Sequence, residues 1–194
     1  MTKDILKLSA IFLGLQDVLD YIENPSAENV DNQTLNDFNL LLTFINYISR
    51  EVTKDYFKLS HQEKISSNNQ CEIPYENLSK LAISINFIED DNYRCTFNLY
   101  PNYIKVGKPN TEYQINYNYI PSPITSIDDT LTLPLGLDSF VIAYGVACEF
   151  ATVKQLYNEA NMWESMFKNS LKNLKPSPDF NVPSLNAKFL RSVA

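Results

Sequence analysis

The chain has 194 residues and a mass of 22.3 kDa, and 44% of its residues are hydrophobic. This length and composition suit one domain with a substantial core and exclude a largely disordered protein. With 16 basic and 23 acidic side chains, the net charge is −7. That charge disfavours general binding to nucleic acid or to an anionic membrane surface.

Residues 4–22 carry apolar side chains at helical spacing, and Asn24-Pro25 ends that pattern. No cleavage site follows the apolar positions, so we expect no signal peptide. Thr34 is expected to cap a second helix, with Asp37 three residues later as a capping-box partner. The apolar stripe of this second helix extends to Tyr56. The pattern predicts a helical hairpin over residues 1–57.

Residues 58–71 are polar and predict a loop. The hydrophobic period then changes from helical to alternating at Leu81, Ile83, Ile85 and Phe87. Residues 89–92 predict a turn, and residues 93–106 a second extended segment that Pro101 interrupts. After a turn at residues 107–110, a strand follows with the alternating tyrosines Tyr113, Tyr117 and Tyr119. Together these signals predict an antiparallel β-meander inserted over residues 58–124.

The most apolar run of the chain, residues 133–151, follows a linker that contains proline. We expect a helix that starts at Thr132 or Leu133, with Pro134 in its first turn, and runs to Leu174. Asp138 and Glu149 interrupt the apolar run, which argues against a membrane span. Residues 125–174 are therefore expected to complete a bundle of long helices.

Small side chains in this predicted helix indicate close approach of another helix, because glycine in a helix interior costs about 1 kcal/mol relative to alanine. The approaching helix belongs either to the first two helices of the same chain or to a second copy in a ring. The second alternative predicts an oligomer interface at Ala143, Tyr144, Gly145, Ala147 and Ala151.

Residues 175–194 contain three prolines and several large apolar side chains. Disordered tails are usually poor in such side chains, so we expect an extended arm that becomes ordered on another surface. The alternative is a tail that folds back over its own domain. The partner-docking residues predicted for the arm are Phe180, Val182, Leu185, Phe189 and Leu190.

The sequence contains few residues that could carry chemistry. His61 is the single histidine and lies in a polar segment, where a solvated side chain is expected. Cys71, Cys95 and Cys148 are far apart and predict reduced thiols rather than a metal site. The acidic pairs at residues 90–91 and 128–129 suit turns, and the four glycines form no phosphate-binding loop. We therefore expect no catalytic residues, no bound metal and no cofactor.

The order of motifs in residues 4–174 resembles the head–tail connector, or adaptor, proteins of tailed bacteriophages, especially those with short tails. Tyr119-Ile120-Pro121 ends a strand, and an Ile-Thr-x-x-Asp-Asp linker leads to Leu133-Pro134. A helix with Ala143, Tyr144 and Ala147 follows, then Glu159-Ala160 and a Phe167-x-x-x-Leu171 ending. The opening helix with Gly14 is similar to the start of such chains.

This resemblance implies a structural virion protein that forms a ring, typically of about twelve copies, below the portal. The partners it implies are sister copies, the portal protein and the neighbouring tail ring or tail tube, with double-stranded DNA passing through without sequence-specific contacts. It implies synthesis in the cytoplasm of the host bacterium and a place in the neck or tail of the virion, and no membrane.

The fold class expected from these patterns is α+β: a bundle of long helices, an inserted antiparallel β-meander and an extended C-terminal arm, in one structural domain. Three other functions stay open at this point. The chain is another tail ring or baseplate component, a cytoplasmic regulatory protein, or a hydrolase or carbohydrate-binding module. The last would use the tyrosine-rich sheet, with sugars stacked on Tyr113, Tyr117 and Tyr119.

Overall fold

The computed structural model describes residues 1–26 and 30–174 of the chain. The protein is α+β, with a helical body and antiparallel sheets inserted between its third and fourth helices. The helical body contains α1 (Thr2–Leu13), α2 (Gln16–Glu23), α3 (Asn32–Glu51), α4 (Ser139–Val153) and α5 (Tyr157–Leu174). The C-terminal arm predicted for residues 175–194 lies outside the described residues.

The first predicted helix is in fact two helices, α1 and α2. Gly14 ends α1 with a left-handed backbone (φ 65°), and the Leu15 N–H donates to the Ala10 carbonyl over 2.9 Å. This is a Schellman motif, which turns the chain and lets α2 begin in a new direction. The expectation of one helix over residues 4–22 was wrong because this glycine was not recognised as a helix stop.

The N-cap of helix α3 lies three residues before Thr34, the residue predicted to cap it. Asp31 is its N-cap, and the carboxylate accepts from the Thr34 N–H over 2.9 Å and from the Thr34 hydroxyl over 2.8 Å. Thr34 therefore lies inside the first turn and donates to the N-cap residue. The prediction that Thr34 is itself the N-cap was wrong. The helix continues into a single π-helical turn (Val52–Tyr56) before the chain enters the sheets.

The β-layer consists of two antiparallel sheets rather than one meander. The larger has the order β1-β7-β3-β4, and the smaller has the order β2-β6-β5. The strands are β1 (Leu59–Ser66), β2 (Glu72–Pro74), β3 (Ala82–Asp90), β4 (Tyr93–Arg94), β5 (Asn98–Leu99), β6 (Tyr103–Lys105) and β7 (Glu112–Tyr119). Strand β7 is central in the larger sheet and pairs along its whole length with β1, from Leu59 opposite Tyr119 to Ser66 opposite Glu112.

Strand β3 does not follow the predicted alternation of its apolar residues. The pairing with β7 shifts between Ala82 and Ser84 and again between Ile85 and Phe87. Each shift moves the following side chains to the other face of the sheet. Leu81 and Ile83 are 66% and 39% exposed, whereas Ile88 is completely buried. The turn predicted after this strand is confirmed: Asp91 and Asn92 adopt left-handed backbone conformations (φ 46° and 69°) between β3 and β4.

The helix predicted over residues 132–174 is a pair of helices, α4 and α5. Asp138 caps α4 by accepting from the Phe140 N–H over 2.5 Å, so the helix begins five residues after Pro134. Gln155 has a left-handed backbone (φ 62°), and the Leu156 N–H donates to the Ala151 carbonyl over 2.8 Å. A second Schellman motif therefore ends α4 and reverses the chain into α5.

Two separate hydrophobic cores stabilise the protein. One lies among the helices, with Ile5, Leu41, Ile45, Ile142 and Val146 completely buried. The second lies within the β-layer. The linker before α4 belongs to the first core: Ile124 and Leu131 are buried in it, and the Asn46 amide both donates to and accepts from the Ile124 backbone at 2.8 Å.

Candidate functional site

The structure places four of the five predicted interface residues inside the chain itself. Ala143, Ala147 and Ala151 are completely buried, and Gly145 is buried as well. A Cβ atom added to Gly145 would lie 2.9 Å from the Ile48 Cγ2 of α3. Gly145 does permit the close approach of another helix, but that helix is α3 of the same chain. In this conformation these four positions are not available to a sister copy.

Tyr144, the fifth predicted residue, lies on the outer side of α4 in a cluster of aromatic rings. Phe12 of α1 stacks against Tyr144 with ring centroids 5.2 Å apart and against Trp163 of α5 at 5.0 Å. Tyr144 and Trp163 are 5.9 Å apart and nearly parallel, and Phe140 is 6.2 Å from Phe12. We call Phe12, Phe140, Tyr144 and Trp163 the aromatic surface cluster. It joins three helices at one face.

The aromatic surface cluster is only partly covered by the chain. Phe140 is 47% exposed, and the other three rings are half-buried. Met162 and Met166 of α5 are both exposed. Met162 precedes Trp163 directly in the sequence, and Met166 follows it by three residues. Tryptophan and tyrosine dominate the binding energy of many protein interfaces, and methionine adapts its shape to a partner. This face therefore has the composition of an interface. The sequence did not predict this face, because its rings come together only when the chain reverses between α4 and α5. That reversal was not predicted.

The predicted arm residues Phe180, Val182, Leu185, Phe189 and Leu190 lie outside the described residues.

His61 is not a loop residue, since it lies in β1 beside the rings of Tyr117 and Tyr119 at 5.7 and 6.1 Å. Its Nε2 is 3.2 Å from the Ser79 hydroxyl. The neighbouring carboxylate of Glu63 accepts from the Ser79 N–H and from the Tyr117 hydroxyl instead. In a catalytic Ser-His-Asp arrangement the carboxylate orients the imidazole. The Glu63 carboxylate does not bond to His61, and it instead holds the segment before β3 against the sheet. The four groups therefore form a structural hydrogen-bond network.

Of the two acidic pairs, residues 128–129 lie in the linker before α4 as predicted, whereas Asp90 is the last residue of β3 and only Asp91 lies in the turn. Asp90 pairs with Lys108 at 2.6 Å. Asp129 accepts from the Thr125 and Ser126 N–H groups at 2.6 and 2.8 Å, and these bonds lower its pKa. Within residues 1–26 and 30–174, no group of His, Cys, Asp and Glu side chains is arranged to hold a metal ion. Cys71, Cys95 and Cys148 are free thiols.

Carboxylates from α3 and α4 meet in a shallow depression that α5 borders. Glu51, Glu149 and Glu164 line it together with Lys168, whose ammonium pairs with Glu164 at 2.5 Å. Burial raises the pKa of Glu149, and the charge of Glu164 raises it further. Burial also raises the pKa of Glu51, with a contribution from the charge of Glu149. These carboxylates repel one another and therefore oppose folding at neutral pH.

The tyrosines proposed to stack sugars do not form an exposed face. Tyr113 and Tyr117 are buried in the core of the β-layer, at 1% and 0% exposure, and Tyr119 is half-buried. Their hydroxyls bond to the chain itself: the Lys108 N–H donates to Tyr113, and the Lys80 N–H donates to Tyr117. A carbohydrate site on these three residues is contradicted by their burial.

A comparison with protein-family models found no match for this chain, and a search of curated proteins found no matching sequence. None of the helices within the described ranges is both long and apolar enough to cross a membrane.

Proposed function

We propose that this chain is a structural subunit of a tailed bacteriophage that assembles into a ring below the portal and joins the capsid to the tail. The observation that carries the proposal is the aromatic surface cluster. It places rings from α1, α4 and α5 on one partly exposed face, and the exposed Met162 and Met166 belong to the same helix as Trp163. A subunit that must associate with its copies needs such a preformed face, because rigid aromatic rings lose little entropy on binding.

The motif order of residues 4–174 supports the choice of the connector class. A helical segment, an antiparallel β insertion and a second helical segment follow one another in the chain, as the resemblance implies. The helices of sister copies would then pack side by side around the ring. Association would use the aromatic surface cluster and not the small residues of α4, since these are buried within the chain itself.

The charge of the chain supports a role as part of a DNA conduit. A net charge of −7 in each of about twelve copies repels the phosphates of double-stranded DNA, so that the duplex passes without adhering. The predicted arm, residues 175–194, would reach the portal or a neighbouring subunit. The protein would thus act in tail assembly and DNA ejection, as a component of the neck or tail of the virion with no catalytic step.

The experiment is to measure the mass of the assembly that the purified chain forms alone and with a portal protein. Phage genes for capsid and portal proteins beside the gene for this chain would identify the portal to use. A ring of about twelve subunits, alone or on the portal, is the expected result. Replacing Trp163 with Ala should weaken assembly at least about tenfold, whereas Tyr93→Ala, on an exposed tyrosine outside the cluster, should not.

A chain that stays monomeric with excess portal protein, and that mass spectrometry never detects in purified virions, would overturn the proposal. The same measurements separate it from a second structural role. A ring that binds a tail component but not the portal would place the subunit further along the tail or in the baseplate.

A further inference from the structure

A ring of identical subunits needs two different surfaces on each chain, because each subunit contacts one neighbour with one face and the other neighbour with a second face. The aromatic surface cluster supplies the first of these surfaces. The described part of the chain carries a second apolar surface, a groove of about 400 Å³ between α3 and the segment that follows β7. This volume lies within the range of protein binding clefts, about 300–1,000 Å³.

The groove has apolar walls and a buried polar group. Tyr47 of α3 is 53% exposed, Leu81 is 66% exposed, and residues 120–123 with two prolines complete the walls. The Ser49 hydroxyl also lines the groove and is buried, yet it forms no hydrogen bond within residues 1–26 and 30–174. Exposed apolar surface around an unpaired hydroxyl is unfavourable in an isolated chain, which suits a surface that a partner covers.

Arg50 gives the groove a positive charge. It is exposed in the last turn of α3, and none of the ion pairs within the described ranges includes it. None of the described residues that line the groove is acidic. A partner that presents apolar side chains together with a carboxylate is therefore complementary to this groove.

The side of α5 that carries Trp163 presents this combination. Glu159, Met162, Trp163 and Met166 are spaced by three and four residues, so they lie along one side of the helix. Met162 and Met166 are 47% and 43% exposed. Glu159 is exposed as well, and it belongs to none of the ion pairs among the described residues. We call these four residues the outer face of α5.

The groove and the outer face of α5 point away from each other. Ile48 of α3 and Phe167 of α5 line the same depression. Asn46 and Arg50 lie about 160° and 200° around α3 from Ile48, so the groove is on the far side of α3 from that depression. Met162 lies about 140° around α5 from Phe167, which places the outer face away from α3. The two surfaces can therefore meet only between two copies of the chain.

We infer that the outer face of α5 of one copy enters the groove of the next copy, with Met162 and Met166 against the apolar walls and the Glu159 carboxylate paired with Arg50. The inference rests on the proposed function, since it names the two surfaces that the ring contact joins. The contact is heterologous, so each copy keeps one groove and one outer face for further copies until the ring closes.

Exchanging the two charges tests the pairing, with the mass of the assembly of the full chain as the measurement. Arg50→Glu and Glu159→Arg should each weaken assembly at least about fivefold, because each variant brings like charges together at the contact. An equimolar mixture of these two variants should assemble as the unmodified chain does, since every contact in an alternating ring then joins opposite charges. This recovery also shows that each single variant is folded. Arg94→Glu, on an exposed arginine of β4, is the matched control and should not change assembly.

A second pair of variants tests whether the contact is heterologous. Leu81→Asp places a charge in the groove alone, and Met162→Asp places one on the outer face of α5 alone. Each variant by itself should stay monomeric, because every contact needs both surfaces. An equimolar mixture should stop at a dimer, since only one groove and one outer face remain intact in each pair.

The inference is overturned if Arg50→Glu and Glu159→Arg leave assembly unchanged, if their mixture assembles no better than either variant, or if Leu81→Asp and Met162→Asp together grow beyond a dimer. In each of these cases the unmodified chain still forms its ring, so the proposed function stands. An unmodified chain that stays monomeric with and without portal protein overturns both, and the two failures are therefore distinguishable.

Discussion

Gly145 of α4 contacts Ile48 of α3 so closely that no side chain fits between them. A Cβ at position 145 would lie 2.9 Å from Ile48 Cγ2 and 3.0 Å from its Cδ1. Ile48 is 1% exposed and cannot easily move away. The Cγ2 branch is attached directly to the Ile48 Cβ, so a rotation at the end of the side chain does not relieve the contact.

Gly145→Ala is therefore expected to destabilise the protein by about 1–2 kcal/mol, since the cost of overpacking exceeds the gain of about 1 kcal/mol in helix propensity. In an Ile48→Ala background the same change should become stabilising, because the clashing atoms are absent. Urea unfolding of the four proteins of this cycle measures the coupling. Equal effects of Gly145→Ala in both backgrounds would show that the contact does not limit stability.

The two Schellman motifs allow a matched test of backbone strain. Gly14 and Gln155 have nearly the same left-handed φ, 65° and 62°, and no atom lies within 4 Å of a Cβ added to Gly14. Gly14→Ala should destabilise the protein by about 1 kcal/mol through backbone strain alone. Gln155→Gly should be stabilising by up to about 1 kcal/mol, because glycine relieves the strain of the left-handed conformation. Thermal unfolding of both variants measures the two signs, and a loss of stability in Gln155→Gly would contradict the account.

The two Schellman motifs also explain which helix ends could be predicted from the sequence. Gly14 carried a recognisable stop signal, since glycine is the usual residue at this position of a Schellman motif. Gln155 carried no such signal. The end of α4 depends on hydrogen bonds from the Gln155 and Leu156 N–H groups to carbonyls of α4, and the backbone of any residue except proline can form such bonds. The α+β class and the helical character of residues 2–23 and 157–174 followed from hydrophobic periodicity, whereas the reversal between α4 and α5 did not.

Strand β1 was missed because its inward-facing residues are largely polar. Leu59, His61, Glu63 and Ile65 alternate with exposed residues, but only the first and last are apolar. The polar pair is accommodated by partners distant in the sequence, Ser79 and Tyr117. The aromatic surface cluster escaped prediction for a similar reason, since its rings come from three helices far apart in the sequence.

The hydrogen bond from the Tyr117 hydroxyl to Glu63 should make the stability of the protein depend on pH. Burial by itself would raise the pKa of Glu63, but bonds from Tyr117 and the Ser79 N–H outweigh it and lower the pKa. Below its ordinary pKa the unfolded chain then binds more protons than the folded one, so this stabilisation is lost as the pH falls through the lowered pKa. Tyr117→Phe should cost about 1–2 kcal/mol at neutral pH, and less at acidic pH.

Urea unfolding of Tyr117→Phe at several pH values is the measurement. The matched control is Tyr113→Phe, a buried tyrosine of the same strand whose hydroxyl bonds to the Lys108 backbone and not to a carboxylate. Its cost should be similar at each pH. A cost for Tyr117→Phe that does not change with pH would show that the Glu63 charge plays no part.

Glu149 is expected to have the opposite dependence on pH. Burial and the charge of Glu164 raise its pKa, so between the ordinary and the raised pKa the folded chain binds more protons than the unfolded one. The free energy of unfolding therefore decreases as the pH rises through this window. Glu149→Gln removes the charge and keeps the shape, and it should stabilise the protein at neutral pH by up to about 1 kcal/mol.

Unfolding curves for Glu149→Gln and for the exposed control Glu76→Gln, each at acidic and neutral pH, test this. The gain should be present only for Glu149→Gln and should vanish at acidic pH, and a gain that persists there would mean that packing, rather than charge, limits stability at this position.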